Sequence, residues 1–234
     1  QEEHMSTAKH PVQAAEMVEG PYYGNGCPQR SDIREGMPGV NLALEVHLVD
    51  IHTEEPARDM RVDLWHPDAT GHYSGYPFDP DQQPADVTKR PPLNNDSFLR
   101  GAQISGADGV VRFMTIIPGW YASRAPHMHL KVFSGDTCIL TTQLFLPRAT
   151  SEEVYATPAY LRQVSQDTYN STDTVLAKTQ ASIDSCWVDV SPAPSGFQGR
   201  AVLGIDPHAE SIYVDPPPGF RPPLGGIAHD KPVQ

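Results

Sequence analysis

Two histidines separated by a single residue, His127 and His129, are the first candidates for chemistry in this sequence. The residues after them are strand formers, and alternate side chains of a strand share one face, about 7 Å apart along it. Both imidazoles could therefore bind one metal ion. Tyr121 and Arg124 precede them, on a turn that Pro118-Gly119 is expected to open. For the histidine pair alone, two half-buried side chains hydrogen-bonded to the backbone would be the more common arrangement.

A second stretch, residues 62–76, shifts this balance towards chemistry. A segment led by Trp65 ends in a glycine-containing turn that presents another tyrosine, Tyr73. Together the two stretches resemble the intradiol ring-cleavage dioxygenases, the family of the catechol and protocatechuate dioxygenases. Three motifs carry the resemblance and occur in the family's order: Gly71-His72-Tyr73, Pro118-Gly119-Trp120-Tyr121 and Arg124-Ala125-Pro126-His127-Met128-His129. Shorter matches occur at 19–23, 30–36, 98–103 and 142–143. They span about residues 19 to 147.

The resemblance implies one Fe(III) ion per chain, bound by Tyr73, Tyr121, His127 and His129. The chemistry of these donors agrees with a ferric ion. A free phenol has a pKa near ~10, so only a strongly acidic cation keeps it ionised at neutral pH. Two phenolates with two neutral imidazoles suit a trivalent ion better than Zn²⁺, whose usual ligands are His, Cys and carboxylate.

The resemblance also implies the reaction: catecholic aromatics and O₂ as substrates, with the ring cleaved between the two hydroxyl-bearing carbons to give muconate-type diacids. Tyr121 would accept a substrate proton, and Arg124 would bind the substrate and stabilise negative charge that develops on its ring. Gln143 would hold the guanidinium in place. Pro21 and Tyr22 would line the substrate pocket.

Two other functions remain open on the residues alone. One is a non-catalytic β-sandwich binding module, and the other is a zinc-dependent hydrolase that uses His127 and His129. His66, His72 and Asp68 could join such a rival metal site, although we expect turn or capping roles for them. A serine hydrolase is disfavoured because the sequence contains no Gly-x-Ser-x-Gly elbow.

The apolar pattern predicts an all-β fold. Residues 42–50 alternate between apolar and polar, which is typical of a half-buried strand, and six further strands are predicted at 60–66, 109–117, 127–134, 137–146, 186–190 and 200–205. A hairpin is expected at 134–136, and one short helix within 151–163, interrupted by Pro158. The prediction is a β-sandwich of mostly antiparallel strands with long loops and little helix, as in the resembling family.

We expect a flexible N-terminal arm (1–18), one β-sandwich domain (19–205) and an extended proline-rich tail (206–234). The 24 prolines favour a loop-rich β-protein, because proline is confined to turns and strand edges. Many catechol dioxygenases carry a helical N-terminal dimerisation region, for which the arm is too short. A monomer is therefore expected.

The net charge of −12 argues against nucleic acid or an anionic membrane as a partner, and no apolar run is long enough to span a membrane. Of the three cysteines, Cys138 and Cys186 are the more plausible disulfide pair, because both lie in predicted strands. Glycosylation sequons at Asn95 and Asn170 favour an extracellular location. The short spacing from Tyr121 to His127 also matches short secreted members of the family, although a cysteine common in such members is missing after Trp65-His66.

Overall fold

The computed structural model describes residues 11–82, 91–179 and 184–213. Within these ranges eight strands form two four-stranded sheets, which confirms the predicted β-sandwich with little helix. The strands are β1 (Asn41–Asp50), β2 (Met60–Trp65), β3 (Arg100–Ile104), β4 (Val110–Ile116), β5 (His127–Ser134), β6 (Thr137–Phe145), β7 (Asp189–Ala193) and β8 (Gly196–Ile205).

The first sheet has the strand order β4-β1-β8-β7 and the second has the order β3-β2-β5-β6. Among these strands only β1 and β8 pair in parallel. β5 and β6 form the predicted hairpin. The alternation in β1 is confirmed, because the four apolar residues at its alternate positions are buried in the core between the sheets: Leu42, Leu44, Val46 and Leu48.

The strand that carries the histidine pair is buried on both faces. Met128, Leu130 and Val132 of β5 belong to the core between the sheets. The alternate residues His127 and His129 lie on the outer face of the second sheet, and yet they are only 1% and 3% exposed. Residues 18–23 and 211–213 lie over this outer face, where the carbonyl oxygens of Val18, Tyr23 and Tyr213 accept hydrogen bonds from its side chains, so polar groups on it are withdrawn from water.

The covering segments correct the expectation of a free arm for residues 11–18. Ala14 donates its backbone N–H to Gly204 (2.8 Å), and Met17 donates its own to Thr141 (2.9 Å). Met17 is buried. At the other end Ser211 is also buried and donates its N–H to Cys138 (2.8 Å). The remainder of the predicted arm and tail, residues 1–10 and 214–234, lies outside the described residues.

One strand was missed, one is displaced from its predicted position and one begins earlier than predicted. β3 has no apolar alternation. Ile33 packs directly against Gly101, where a Cβ atom would lie only 2.2 Å from Ile33 Cγ2, so no side chain fits at this position. The predicted strands 186–190 and 200–205 correspond to Asp189–Ala193 and Gly196–Ile205.

The helical segments also differ from the prediction. Helix α1 spans Arg148–Tyr155, and Pro158 opens a separate 3₁₀ turn, Pro158–Tyr160, rather than interrupting one helix. A four-residue helix, α2 (Thr174–Ala177), was not predicted. None of the helices in the described part of the chain is long and apolar enough to cross a membrane.

The predicted disulfide between Cys138 and Cys186 is wrong, because neither thiol is part of a disulfide. Cys138 lies in β6 of the second sheet, where its Sγ is 3.5 Å from the carbonyl oxygen of Leu140. Cys186 precedes β7 and is buried in a separate apolar cluster with Met17 and Phe145. The two thiols therefore belong to different parts of the sandwich.

Candidate metal centre

Tyr73 and Tyr121 lie on two turns that are joined through their backbones. The first turn follows β2, and the Asp68 side chain organises it by accepting the N–H groups of Thr70 (2.9 Å) and His72 (3.0 Å). The second turn follows β4. Gly119 of that turn donates its N–H to the carbonyl oxygen of Asp68 (3.0 Å).

Two glycines allow the turns to approach closely. A Cβ atom on Gly119 would lie 2.3 Å from the carbonyl oxygen of Ala69, and one on Gly71 would lie 2.3 Å from that of Trp120. Gly71 also has a φ of +90°, which other residues rarely adopt. As a result the hydroxyl oxygens of Tyr73 and Tyr121 are 3.2 Å apart.

The two histidines complete a cluster of four donor atoms. Tyr121 Oη is 2.9 Å from His127 Nε2, and the Nε2 atoms of His127 and His129 are 3.0 Å apart. Two ligand atoms at right angles on a metal ion with bonds of about 2.0–2.1 Å are separated by about 2.9 Å. These three successive separations are close to that of neighbouring ligand atoms on one ion.

The histidine rings are oriented by neighbours outside the cluster. His127 Nδ1 lies 2.6 Å from the carbonyl oxygen of Ala125 and must donate its proton there, which leaves the Nε2 lone pair directed at the cluster. The ring of His129 stacks on Trp65, with centroids 5.1 Å apart and an interplanar angle of 12°. Trp65 thus contacts a candidate ligand directly as well as packing behind it.

Burial sets the protonation states of these groups. It lowers the pKa values of His127 and His129 well below the ordinary range, so both imidazoles are neutral, as metal ligands must be. Burial also raises the pKa values of Tyr73 and Tyr121. The phenols are therefore protonated unless a cation displaces their protons, which favours a strongly polarising ion over a weakly polarising one.

Arg124 lies beside the cluster and is held in place from two sides. Its Nη2 donates to Oε1 of Gln143, and its Nε donates to Oδ2 of Asp173 (2.9 Å). Its Nη1 is 3.3 Å from His127 Nε2. Gln143 is fully buried and donates its own amide to the carbonyl oxygen of Val18 (2.8 Å). The predicted contact between Gln143 and Arg124 is present.

Asp173 was missed by sequence reasoning. It is 1% exposed and accepts the N–H groups of Ala125 (2.8 Å) and Leu176 (2.9 Å) in addition to Arg124 Nε. The bond to Leu176 caps the start of α2. An aspartate just before a helix is a recognisable capping signal, but no helix was predicted there.

The segment that contains Pro21 and Tyr22 crosses the cluster. A Cβ atom on Gly20 would lie 3.4 Å from His129 Cε1, so this backbone passes directly over the imidazole. Glu19 anchors the segment through a buried ion pair with Lys131, which is on the same face of β5 as His129. Neither charged residue was singled out from the sequence.

The half-buried Tyr22 contacts the candidate site through its ring. Its centroid lies 5.0 Å from that of Tyr73 and 4.8 Å from that of Tyr76, with Phe78 6.2 Å away. Tyr76 and Phe78 were not predicted as site residues, although both follow Tyr73 closely in the sequence. The four rings form an aromatic wall from the cluster towards the surface.

The rival metal site does not form. Both ring nitrogens of His66 are engaged, Nδ1 with the carbonyl oxygen of Pro67 (2.7 Å) and Nε2 with Thr115 Oγ1 (2.6 Å). His72 Nδ1 contacts Thr70 Oγ1 (2.9 Å) within the turn that Asp68 organises. Across the described ranges, no group of three or more His, Cys, Asp or Glu side chains is placed to hold a metal ion.

Comparisons with known proteins identify the family of this chain. A family model described as dioxygenase matches residues 18–182. No curated protein sequence matches significantly. An intradiol ring-cleavage dioxygenase from Tetranychus urticae is 28% identical over 86% of this chain and 97% of its own, with a TM-score of 0.77.

Two more distant structures share the fold. The dioxygenase domain of a dioxygenase–carbohydrate-binding fusion protein from Streptomyces sp. SirexAA-E is 25% identical over 83% of this chain and 99% of its own, with a TM-score of 0.58. Catechol 1,2-dioxygenase from Acinetobacter sp. ADP1 is 20% identical over 88% of this chain and 68% of its own, with a TM-score of 0.54. With the family model matched over most of its length, this chain belongs to the intradiol ring-cleavage dioxygenase family.

Proposed function

We propose that this dioxygenase binds one Fe(III) ion per chain through Tyr73, Tyr121, His127 and His129. Its reaction inserts both atoms of O₂ into a catecholic aromatic and cleaves the ring between the two hydroxyl-bearing carbons, which gives a muconate-type diacid. The observation that carries the proposal is the convergence of two phenol oxygens and two imidazole nitrogens, with successive separations of 2.9–3.2 Å.

A ferric ion held by these four residues would supply the Lewis acidity that makes the ring of a catecholate reactive towards O₂. Tyr121 is the better placed of the two tyrosines to take a proton from the substrate at its Oη, because it is half-buried whereas Tyr73 is 3% exposed. The Tyr121 Oη also remains within hydrogen-bond distance of Tyr73 Oη (3.2 Å), so a proton held there has a neighbouring oxygen acceptor.

Arg124 provides a fixed positive charge next to the reacting ring. Its side chain is only 12% exposed and its guanidinium is already bonded to Gln143 and Asp173, so it needs no reorganisation when negative charge develops. Gln143 and Asp173 act through Arg124 and are positioning residues. Pro21 and Tyr22 belong to the segment that passes over His129, and we assign them to the lining of the substrate pocket.

Two alternatives are less well supported. A binding module without catalysis has no need for a guanidinium held against the His127 imidazole by an amide and a carboxylate. A zinc hydrolase that uses His127 and His129 would lack the carboxylate or cysteine ligands typical of zinc, since the nearest donors in the described structure are the two phenols.

Oxygen uptake with a panel of catechols tests the proposed reaction. Protein loaded with Fe(III) should consume one O₂ per catechol and, under ¹⁸O₂, give a ring-opened diacid that carries both labelled atoms. A coloured, iron-loaded protein that consumes no O₂ with any catechol would support the binding module. Ester or amide hydrolysis by the zinc-loaded protein without O₂ uptake would support the hydrolase.

We further propose an extracellular monomer. Asn95 of the first sequon is exposed, whereas the Asn170 side chain donates to the carbonyl oxygen of Leu146 (2.9 Å), so Asn95 is the accessible glycosylation site. Light scattering should give the mass of one chain. Expression in a secreting eukaryotic host should yield a glycan that Asn95→Gln removes and Asn170→Gln does not.

A further inference from the structure

A single side chain contacts both tyrosine-bearing turns at once. Arg162 follows the 3₁₀ turn, and its side chain is 10% exposed. Its Nη1 donates to the carbonyl oxygen of Thr70 (2.5 Å), three residues before Tyr73. The centre of its guanidinium lies 4.1 Å from the centroid of the Trp120 ring, next to Tyr121. Arg162 therefore touches the neighbours of two proposed ligands without touching the ligands.

The same guanidinium also reaches a third loop. Arg162 Nη2 forms an ion pair with Asp81 Oδ1 (2.9 Å), in the loop that begins at residue 77. The adjacent Pro80 accepts the backbone N–H of Ala122 (2.8 Å). A Cβ atom on Gly71 would lie 2.8 Å from Arg162 Nη1 and 2.9 Å from Pro80 Cβ, so these three loops are in direct contact.

The chemistry of this contact is specific to arginine. A guanidinium donates hydrogen bonds in its plane while its flat face stacks on an aromatic ring. An in-plane donor of Arg162 is used for Thr70, and its face is used for Trp120, while its contact with Asp81 is an ion pair. A lysine ammonium is a point charge that could keep the ion pair but could not combine the in-plane bond with the stacking.

We propose that Arg162 is a positioning residue that sets the separation of the Tyr73 and Tyr121 hydroxyls, and so holds two ligands of the ferric ion at the spacing the site requires. This inference rests on the proposed function. Arg162 touches neither substrate nor metal in this role. The backbone bond from Gly119 to Asp68 already joins the two turns, and Arg162 adds a side-chain clamp on the opposite flank of Gly71.

The chain offers two matched controls. Arg148 makes the same two kinds of contact, with its guanidinium 4.2 Å from the Tyr169 ring centroid and an ion pair to Glu152 (2.7 Å), but it is 60% exposed and touches neither turn. Asp81→Asn removes the third contact of Arg162 and leaves the bonds to both tyrosine-bearing turns in place.

The experiment measures Fe(III) affinity by competition with a chelator and records the visible tyrosinate-to-Fe(III) absorption band. We expect Arg162→Lys and Arg162→Ala to bind Fe(III) about 10–100-fold more weakly, with the band displaced, since changes next to ligands typically cost that much. Asp81→Asn and Arg148→Ala should match the wild type in both measurements. Near-ultraviolet circular dichroism of the metal-free proteins establishes that each variant is folded.

Each outcome decides the matter. Wild-type affinity and an unchanged band in Arg162→Lys would overturn the proposal, because the charge alone would then suffice. A loss in Asp81→Asn as large as that in Arg162→Lys would also overturn it, since the ion pair would then be the important contact. If Arg162→Ala does not fold, the comparison of Arg162→Lys with Asp81→Asn still decides. A wild-type protein that binds no Fe(III) would contradict the ferric site itself.

Discussion

Asp173 gives the sharpest test of how the site holds its positive charge. Asp173 Oδ2 accepts both Arg124 Nε (2.9 Å) and the N–H of Ala125 (2.8 Å), while Oδ1 accepts the N–H of Leu176 (2.9 Å). Asp173→Asn preserves the shape and can keep the oxygen that caps α2. The amide nitrogen of the new side chain then faces the N–H groups of Arg124 and Ala125, which are also donors. Because asparagine is neutral, the guanidinium of Arg124 also loses its anionic partner inside the protein.

The expected size of the effect follows from burial. The Asp173 side chain is 0% exposed and that of Arg124 is 12% exposed, so the variant leaves a nearly buried charge unpaired. Removing one partner of such a pair costs about 3–5 kcal/mol of folding free energy. The lower end applies here, because Gln143 still binds the guanidinium. Since Arg124 acts on charge that develops in the transition state, kcat should fall about 10–100-fold with little change in KM.

Denaturant unfolding and steady-state oxygen uptake provide the assay, and Asp167→Asn is the control. Asp167 also bonds this loop, accepting the N–H of Ser123 (3.1 Å), but it is exposed, so its loss should change stability by less than about 0.5 kcal/mol. The visible absorption of the iron-loaded Asp173→Asn protein should stay that of the wild type. Wild-type kcat and stability in Asp173→Asn, or equal losses in Asp167→Asn, would refute the reasoning.

Three further predictions concern other parts of the chain. Tyr73→Phe should lose Fe(III) and ring cleavage, measured by metal analysis and oxygen uptake, and turnover with iron still bound would contradict its role as a ligand. Arg124→Ala should keep the iron colour but lose about 100-fold or more in kcat, so a wild-type rate would remove its proposed function. Burial raises the pKa of Glu16 from 4.5 to about 7, so its carboxyl stabilises the fold fully below about pH 4.5 and progressively less as the pH rises to about 7. The free energy of unfolding of Glu16→Gln, relative to that of the wild type, should therefore be higher at pH 8 than at pH 4, by at most about 3 kcal/mol in denaturant unfolding. An equal difference at both pH values would contradict the assignment.

The parts of the fold that could be predicted are those written in local patterns. The alternation in β1 specifies which face is buried, and the Ser134-Gly135-Asp136 turn specifies the hairpin. β3 could not be predicted in the same way, because its second residue is a glycine that is needed for packing against Ile33. The disulfide prediction failed because it assumed that Cys186 belonged to a strand, whereas β7 begins after it.

The residues of the candidate site likewise include some that local patterns predict and others that they do not. The spacing of His127 and His129 places both on one face of a strand, and ordered motifs supply the tyrosines, Arg124 and Gln143. Asp173 and Arg162 were beyond reach because each acts over a long separation in the sequence, 49 residues from Arg124 to Asp173 and 92 from Thr70 to Arg162. Local sequence patterns do not predict which distant carboxylate or guanidinium will contact a given turn.

The most direct test of the proposed ferric site is a titration of the metal-free protein with Fe(III), followed by visible absorption and metal analysis. We predict one equivalent of tightly bound iron and a red colour from tyrosinate-to-Fe(III) charge transfer, with the band altered in Tyr121→Phe and lost in the double variant Tyr73→Phe/Tyr121→Phe. A protein that stays colourless with bound iron, or that binds Zn²⁺ in preference and keeps wild-type affinity without the two phenols, would contradict a site built from two tyrosines and two histidines.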